Sequence, residues 1–258
     1  MRAAIKTYKF KLKVDAPHKI MENRIRHFVV TLSLVDRSLL KTAAIEELAK
    51  LTLHPREQHT RRSIDNRERF NTYSIGRVTA KLALSEHQNS ISPQEYCIEN
   101  GLLGQPILSG PSTNCHSMCI SITHSEFYCA AIVSDARCPA GIDIDKVSLA
   151  DADTVFNLLS PKTISTLSCL QLEYNEAASM IWVAFESLGK TLKTGLTVPL
   201  GIYEPDVIDC CETGYHLTYS NFLQYKTHVF RLPNGWLALT LPRSVIIDQN
   251  AIHCSIST

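Results

Sequence analysis

Two segments of similar design, "CISITHSEFYCAAIVSD" and "THVFRLPNGWLALTL", most narrow what this chain can fold into. Each is a pair of alternating apolar runs joined across a short polar turn, the pattern of a β-hairpin. In the second, Pro233-Asn234-Gly235 supplies the turn. Hairpins build antiparallel sheets, and an apolar sheet face has to be covered by another layer. Segments of helical periodicity precede both hairpins. One runs from about Ser38 to Leu53, and another carries Tyr73, Val78 and Leu82 within "NTYSIGRVTAKLALSEH". In the second half, "DADTVFNLLSPKTISTL" and "MIWVAFESLGKTLKTG" take that part. "HFVVTLSLVD" (His27 to Asp36) and "GIDIDKV" each read as a strand. A polar, arginine-rich stretch, "HPREQHTRRSIDNRERF", and a turn-rich connection with short strands, "SPQEYCIENGLLGQPILSGPS", complete the first half.

Each half therefore begins on a strand, passes through helices and closes on a hairpin. The expected class is α+β, with two similar α/β halves at residues 1–138 and 139–258. A chain of 258 residues is long enough to bury a substantial core. Its net charge of +1 offers no bulk field for nucleic acid or an anionic membrane, so any phosphate binding must be local. No run approaches the ~18 apolar residues of a membrane span. The basic start "MRAAIKTYKFKLKVD" is not followed by an apolar stretch of signal-peptide length. Nine cysteines follow no framework spacing, and the expectation is reduced thiols in a cytoplasmic protein. Cys115-His116-x-x-Cys119, with Cys129 and Cys138, comes nearest to a zinc spacing. Only two of those cysteines lie close together, and Cys129 falls in an apolar strand pattern, so buried free thiols are the expected state.

Three short segments carry chemistry. In "MIWVAFESLGKTLKTG", at about 100° per residue, Ile181, Phe185, Leu188 and Leu192 form one apolar stripe. Trp182, Glu186 and Lys190 climb the adjacent flank at i, i+4 steps, joined by Lys193. Such a pair commonly decorates a solvated surface. Gly189 sits inside this helix at a propensity cost of about 1 kcal/mol, which close approach of a ligand or of backbone would explain. In "AGIDIDKV", Ile142 and Ile144 face one way and Asp143 and Asp145 the other, with Cα atoms about 6.5–7 Å apart. Two carboxylates on one face repel unless neutralised, and a hard divalent cation would do so. In "SITHSEF", Thr123, His124 and Ser125 stand where a strand meets its turn.

In order and spacing, "THS", "GIDID" and "WxxxESxxxK" resemble the phosphopantetheinyl transferases of the larger, monomeric, surfactin-synthetase-activator type. That family's signatures are S-H-S, G-[IV]-D-[IV]-E and W-x-x-K-E-[AS]-x-x-K. "GQPIL" resembles its "GKPxL", and "SIGRVTAKLAL" its arginine-bearing helix, so the resemblance runs from about Leu53 to Gly195. It implies two halves related by a pseudo-two-fold axis with the active site at their interface. It also implies transfer of the 4′-phosphopantetheine arm from coenzyme A to a serine of an apo acyl or peptidyl carrier protein, with release of 3′,5′-ADP. Asp143, Asp145 and Glu186 would then hold Mg²⁺, with Mn²⁺ as an alternative. Glu186 would also act as general base, Lys190 would stand by the leaving phosphate, and His124 would join them. Thr123, His124, Gln105, Pro106 and Lys190 would contact coenzyme A, with Arg61 or Arg62 and Arg77 meeting its 3′-phosphate. The first half would supply the 3′-phosphate and adenine contacts, the second the carboxylates and catalytic helix. The implied protein is a monomer with no nucleic-acid or membrane partner.

Four positions depart from the family pattern: Asp145 for glutamate, Thr123 for serine, Gln105 for the lysine of "GKP", and Phe185 for the lysine before Glu186. The last two remove cations and leave a catalytically silent relative, binding a carrier protein or a coenzyme A derivative, as the alternative. A third class, another Mg²⁺-dependent phosphotransfer enzyme, lacks a G-x-x-x-x-G-K-[ST] run to support nucleotide hydrolysis.

Overall fold

Alternation sets the layers of this molecule. In strand β2 (His27–Asp36), Val30, Leu32 and Leu34 are buried on one face and Thr31, Ser33 and Val35 on the other. A strand buried on both faces needs a layer above and below it. The computed structural model describes residues 4–14, 27–88, 92–111, 113–248, 251–252 and 254. Its strands and helices follow in the order β1 (Ile5–Val14), β2, α1 (Thr42–Thr52), α2 (Pro55–Arg62), α3 (Arg67–Gln88), β3 (Cys97–Asn100) and β4 (Pro106–Ser109). Then come β5 (Met118–His124), β6 (Tyr128–Asp135), β7 (Gly141–Asp145), α4 (Leu149–Phe156), α5 (Pro161–Ser168) and α6 (Tyr174–Leu192). The chain continues with β8 (Val207–Cys211), β9 (Gly214–Thr218), β10 (Tyr225–Leu232), β11 (Gly235–Pro242) and β12 (Val245–Ile246).

Two five-stranded antiparallel sheets result, ordered β12-β1-β2-β6-β5 and β7-β11-β10-β9-β8, beside a small β3-β4 ribbon. The class is mixed α and β with several sheets, as expected. Leu32, Leu34 and Ile132 of the first sheet share one core with Ile142, Ile144, Leu237 and Leu239 of the second. Behind the first sheet, Ile75 of α3 meets Val35 and Cys129, while Ala80, Ala83 and Leu84 meet Ala131 and Val133. Behind the second, Ile181, Phe185 and Leu188 of α6 meet Leu217, Val229, Trp236 and Ala238. The order of layers is thus helix, sheet, sheet, helix.

Both hairpins form as their alternation predicts, β5–β6 and β10–β11, the latter closing with Leu232 opposite Gly235. Elsewhere the structure goes beyond what periodicity showed. Most of the arginine-rich stretch is helical: Pro55 occupies the first turn of α2, and His54 and Glu57 cap it reciprocally. The helix expected from about Ser38 starts at Thr42, after a single 3-10 turn, Arg37–Leu39, capped by Asp36. The basic N-terminal segment contains β1, where Tyr8, Phe10 and Leu12 alternate with Lys9, Lys11 and Lys13. Long lysines on the wetter face of an edge-proximal strand mask its pattern and discourage edge pairing. Finally, β12 returns from the second half of the chain to pair with β1. Among the described residues no helix is long and apolar enough to cross a membrane, and every described cysteine is free.

Candidate active site

The seam between the two sheets is held by side chains. Edge strands β5 and β7 lie beside each other. The hydroxyls of Ser121 and Thr123 on β5 accept hydrogen bonds from the Ile142 and Ile144 amides of β7, each at 3.2 Å. Alternation puts both hydroxyls on the side facing β7, where they satisfy backbone donors that would otherwise be buried alone. Thr123 also donates to Asp143 Oδ1 at 2.7 Å. Its one hydroxyl proton is therefore committed to positioning Asp143.

From the other side α6 is pressed onto β7. A Cβ on Gly141 would stand 2.3 Å from the Ser187 carbonyl oxygen, so only glycine permits this approach. Ser187 Oγ donates back to the Gly141 carbonyl at 2.9 Å. The expected stripe is buried: Ile181, Phe185 and Leu188 have no exposure, while Leu192 is half-buried. Phe185, standing where the resembling family has lysine, packs toward Tyr203 at 6.3 Å between ring centroids. Its burial stabilises by about 1.5–3 kcal/mol, and a lysine there would have no water to reach. Gly189 serves close approach of backbone, since a Cβ would lie 2.9 Å from the Gly195 carbonyl oxygen.

With α6 so placed, its flank meets the carboxylates of β7. Lys190 Nζ donates to Asp143 Oδ1 at 2.6 Å, and Asp143 is buried. Asp145 and Glu186 are half-buried. Burial, first, and then the negative charge of Asp143 push the Asp145 carboxyl above its usual range, against the Lys146 amide that bonds it at 2.8 Å. Glu186 is pushed up too, by burial and by Asp143 and Asp145, with Lys190 opposing. His124, exposed at the end of β5, is held below the usual imidazole range by partial burial of its ring and by the Lys190 and Arg37 cations. Arg37, which the sequence patterns did not single out, donates to the Ser125 carbonyl in the β5–β6 turn. That contact and the bond from its amide to the Phe127 carbonyl at 2.8 Å reveal its place.

A cleft of about 200 Å³ opens against this seam, lined by Leu103–Pro106, Ile120–Ile122, Glu186, Lys190, Lys193 and Gly195. Gln105 and Pro106 thus share a cleft with Glu186 and Lys190. Gln105 Oε1 accepts from the Leu103 amide at 2.9 Å, which shapes the loop. The first-half arginines do not line it. Arg61 is buried against Ser74, Glu46 and the Phe70 ring, whereas Arg62 is exposed. Arg77 bonds Asn100 at 2.8 Å and lies over the Tyr73 ring, with its buried Nε lacking a partner.

Asp143, Asp145 and Glu186 offer carboxylate oxygens, the donor type that a hard divalent cation takes. Among the described residues, however, no three His, Cys, Asp or Glu side chains are grouped as an assembled metal centre. Lys190 neutralises Asp143 instead.

No family model matches the sequence, and no curated protein matches it. Among solved structures, a holo-(acyl-carrier-protein) synthase from Bacillus anthracis, determined in complex with CoA (3′,5′-ADP), is similar at 18% identity and a TM-score of 0.35, over 41% of this chain and 93% of that one.

Proposed function

We propose that this protein is a phosphopantetheinyl transferase of the larger, monomeric type, with its site at the seam of two halves related by a pseudo-two-fold axis, residues 1–138 and 139–258. The observation that carries the proposal is the meeting of three motifs distant in sequence. Thr123, Asp143 and Lys190 form one hydrogen-bonded chain, with Glu186 beside it on the wall of a cleft shared with Gln105. Convergence of this kind is what phosphoryl transfer requires: positioned carboxylates, a cation and a base.

In the proposed reaction the serine oxygen of an apo carrier protein attacks the β-phosphorus of coenzyme A. The bond from that phosphorus to the bridging oxygen of 3′,5′-ADP breaks, and the serine proton passes to Glu186, directly or through water. Dehydration raises the basicity of Glu186, which suits a general base. Asp143, Asp145 and Glu186 would hold Mg²⁺ or Mn²⁺, which when bound supplies charge neutralisation at the pyrophosphate. Lys190 would offset charge developing on the leaving phosphate. Thr123 fixes Asp143, and His124, at the end of β5 and outside the cleft lining, would meet a phosphate oxygen. A cleft of about 200 Å³ accommodates the reacting part of coenzyme A, while the rest of the ligand lies along the surface. The arginines of the first half keep their proposed place at the 3′-phosphate. Arg77, with an unused buried Nε, is the best candidate of the three.

The test is to incubate the protein with apo carrier proteins of the fatty-acid, polyketide and peptide-synthetase kinds, coenzyme A and Mg²⁺, and to weigh the carriers. A mass gain equal to the phosphopantetheine arm is expected on at least one. Coenzyme A binding without any gain would favour the silent relative.

A further inference from the structure

Two cations line the cleft, and they are held very differently. Lys190 is paired with Asp143 at 2.6 Å. Lys193, one turn on and exposed, forms no ion pair or side-chain hydrogen bond among the described residues. Its backbone is unusual as well. Lys193 caps α6 in the left-handed conformation, φ 60° and ψ 22°, with its amide bonded to the Gly189 and Lys190 carbonyls. Glycine takes that conformation at a helix C-terminus without cost, whereas a side chain with a Cβ is strained there. Among the described residues only Gln171, φ 53°, shares this feature, and it lies in the turn before α6, away from the cleft lining.

A strained position that keeps its side chain points to a use for that side chain. Neither of the two lysine-replacing departures from the family pattern near the cleft supplies a cation. Phe185 is buried in the core, and the Gln105 side chain is uncharged and engaged by the Leu103 amide. We infer that Lys193 is a binding residue of the cleft that presents its ammonium to a phosphate group of the ligand, occupying a glycine-type position for the sake of that charge. The inference rests on the coenzyme A reading proposed above. An ammonium on a free, flexible stem acts as a point charge, so it contributes attraction to phosphate without imposing a bidentate geometry.

Titration calorimetry of the full chain tests this with two probes, coenzyme A and the phosphate-free pantetheine. Lys193→Gln and Lys193→Gly are each expected to weaken coenzyme A about tenfold, the order typical of a charged hydrogen bond. Pantetheine binding should stay unchanged, and Lys193→Arg should restore affinity. The loss should shrink as salt rises, because the lost interaction is screened. Lys193→Gly should also melt about 2–4 °C higher by releasing strain. Gln171→Gly should gain similarly in stability and keep wild-type affinity. Equal coenzyme A affinity in wild type and Lys193→Gln overturns the role of Lys193 and leaves the proposed function standing. Failure of wild type to bind coenzyme A overturns both.

Discussion

Each long helix of this protein carries a lysine paired with a carboxylate, and the two pairs are opposites. Lys81 on α3 is fully buried against an equally buried Glu57 at 2.9 Å. It also donates to the carbonyls of Pro93 and Tyr96, while Glu57 accepts from the His54 and Ile98 amides. All three ammonium donors and both carboxylate oxygens are engaged, and the pair ties α2, α3 and β3 together. Lys190 on α6 stands on a cleft wall, and its partner Asp143 has Asp145 and Glu186 nearby, neither of which forms an ion pair among the described residues. Saturated charge builds scaffold. Charge left in deficit, at an opening, is poised for a ligand.

The sharpest way to break this contrast is to remove Asp143. Asp143→Ala is expected to lower phosphopantetheine transfer by roughly 10²–10⁴-fold, the range for loss of a positioned catalytic group, measured as the rate of carrier mass gain. Full activity in that variant would show that the seam is not the site. Lys81→Met attacks the other pair. It should cost about 3–5 kcal/mol in urea unfolding, because Glu57 is left charged and buried. Replacing both, Glu57→Leu with Lys81→Met, should recover much of that loss. If the single variant unfolds like wild type, the scaffold role fails.

A pH profile sharpens the comparison further. A carboxylate base works only when ionised, and burial has raised the Glu186 carboxyl. In the metal-free protein the Glu186 carboxyl should therefore ionise at a higher pH than an ordinary carboxylate, as read by NMR of its carboxyl carbon. Lys190 lowers the Glu186 pKa, so Lys190→Met should move this ionisation further upward. An ionisation that stays in place would show that Lys190 does not act on Glu186. The smallest effect expected is at Gly189. In an ordinary helix, alanine would gain about 1 kcal/mol there. Here its Cβ would lie 2.9 Å from the Gly195 carbonyl oxygen, so Gly189→Ala should show a net loss in chemical unfolding.

Much of the fold was legible where periodicity is strong. The hairpins, β2, β7 and the buried stripe of α6 follow from alternation and from i, i+4 spacing. β1 was hidden because its lysines mimic a solvated tail, and α2 because its helical signal is a cap and a buried Glu57 rather than an apolar stripe. At the site, Asp143, Glu186 and Lys190 stand out through residue type and motif. The Thr123–Asp143 bond, the place of Arg37 and the left-handed Lys193 do not, because each depends on how edge strands and a helix end meet in space. The first-half arginines show the limit most clearly. Arg61 and Arg62 are neighbours in sequence, yet one is locked under Phe70 and the other is exposed.

The central claim, that the seam trades stability for chemistry, is tested most directly on Glu186→Gln. The folded-state pKa of Glu186 is raised, so its stabilising contribution is present when protonated and is lost as pH rises through that value. Where it is ionised the carboxylate is a cost, and glutamine removes it. Separate aliquots of one preparation of the variant, one melted without Mg²⁺ and one assayed by carrier mass gain, should give a midpoint equal to wild type or about 2–4 °C above it, with transfer nearly abolished. Retained transfer, or a midpoint well below wild type, would contradict the account.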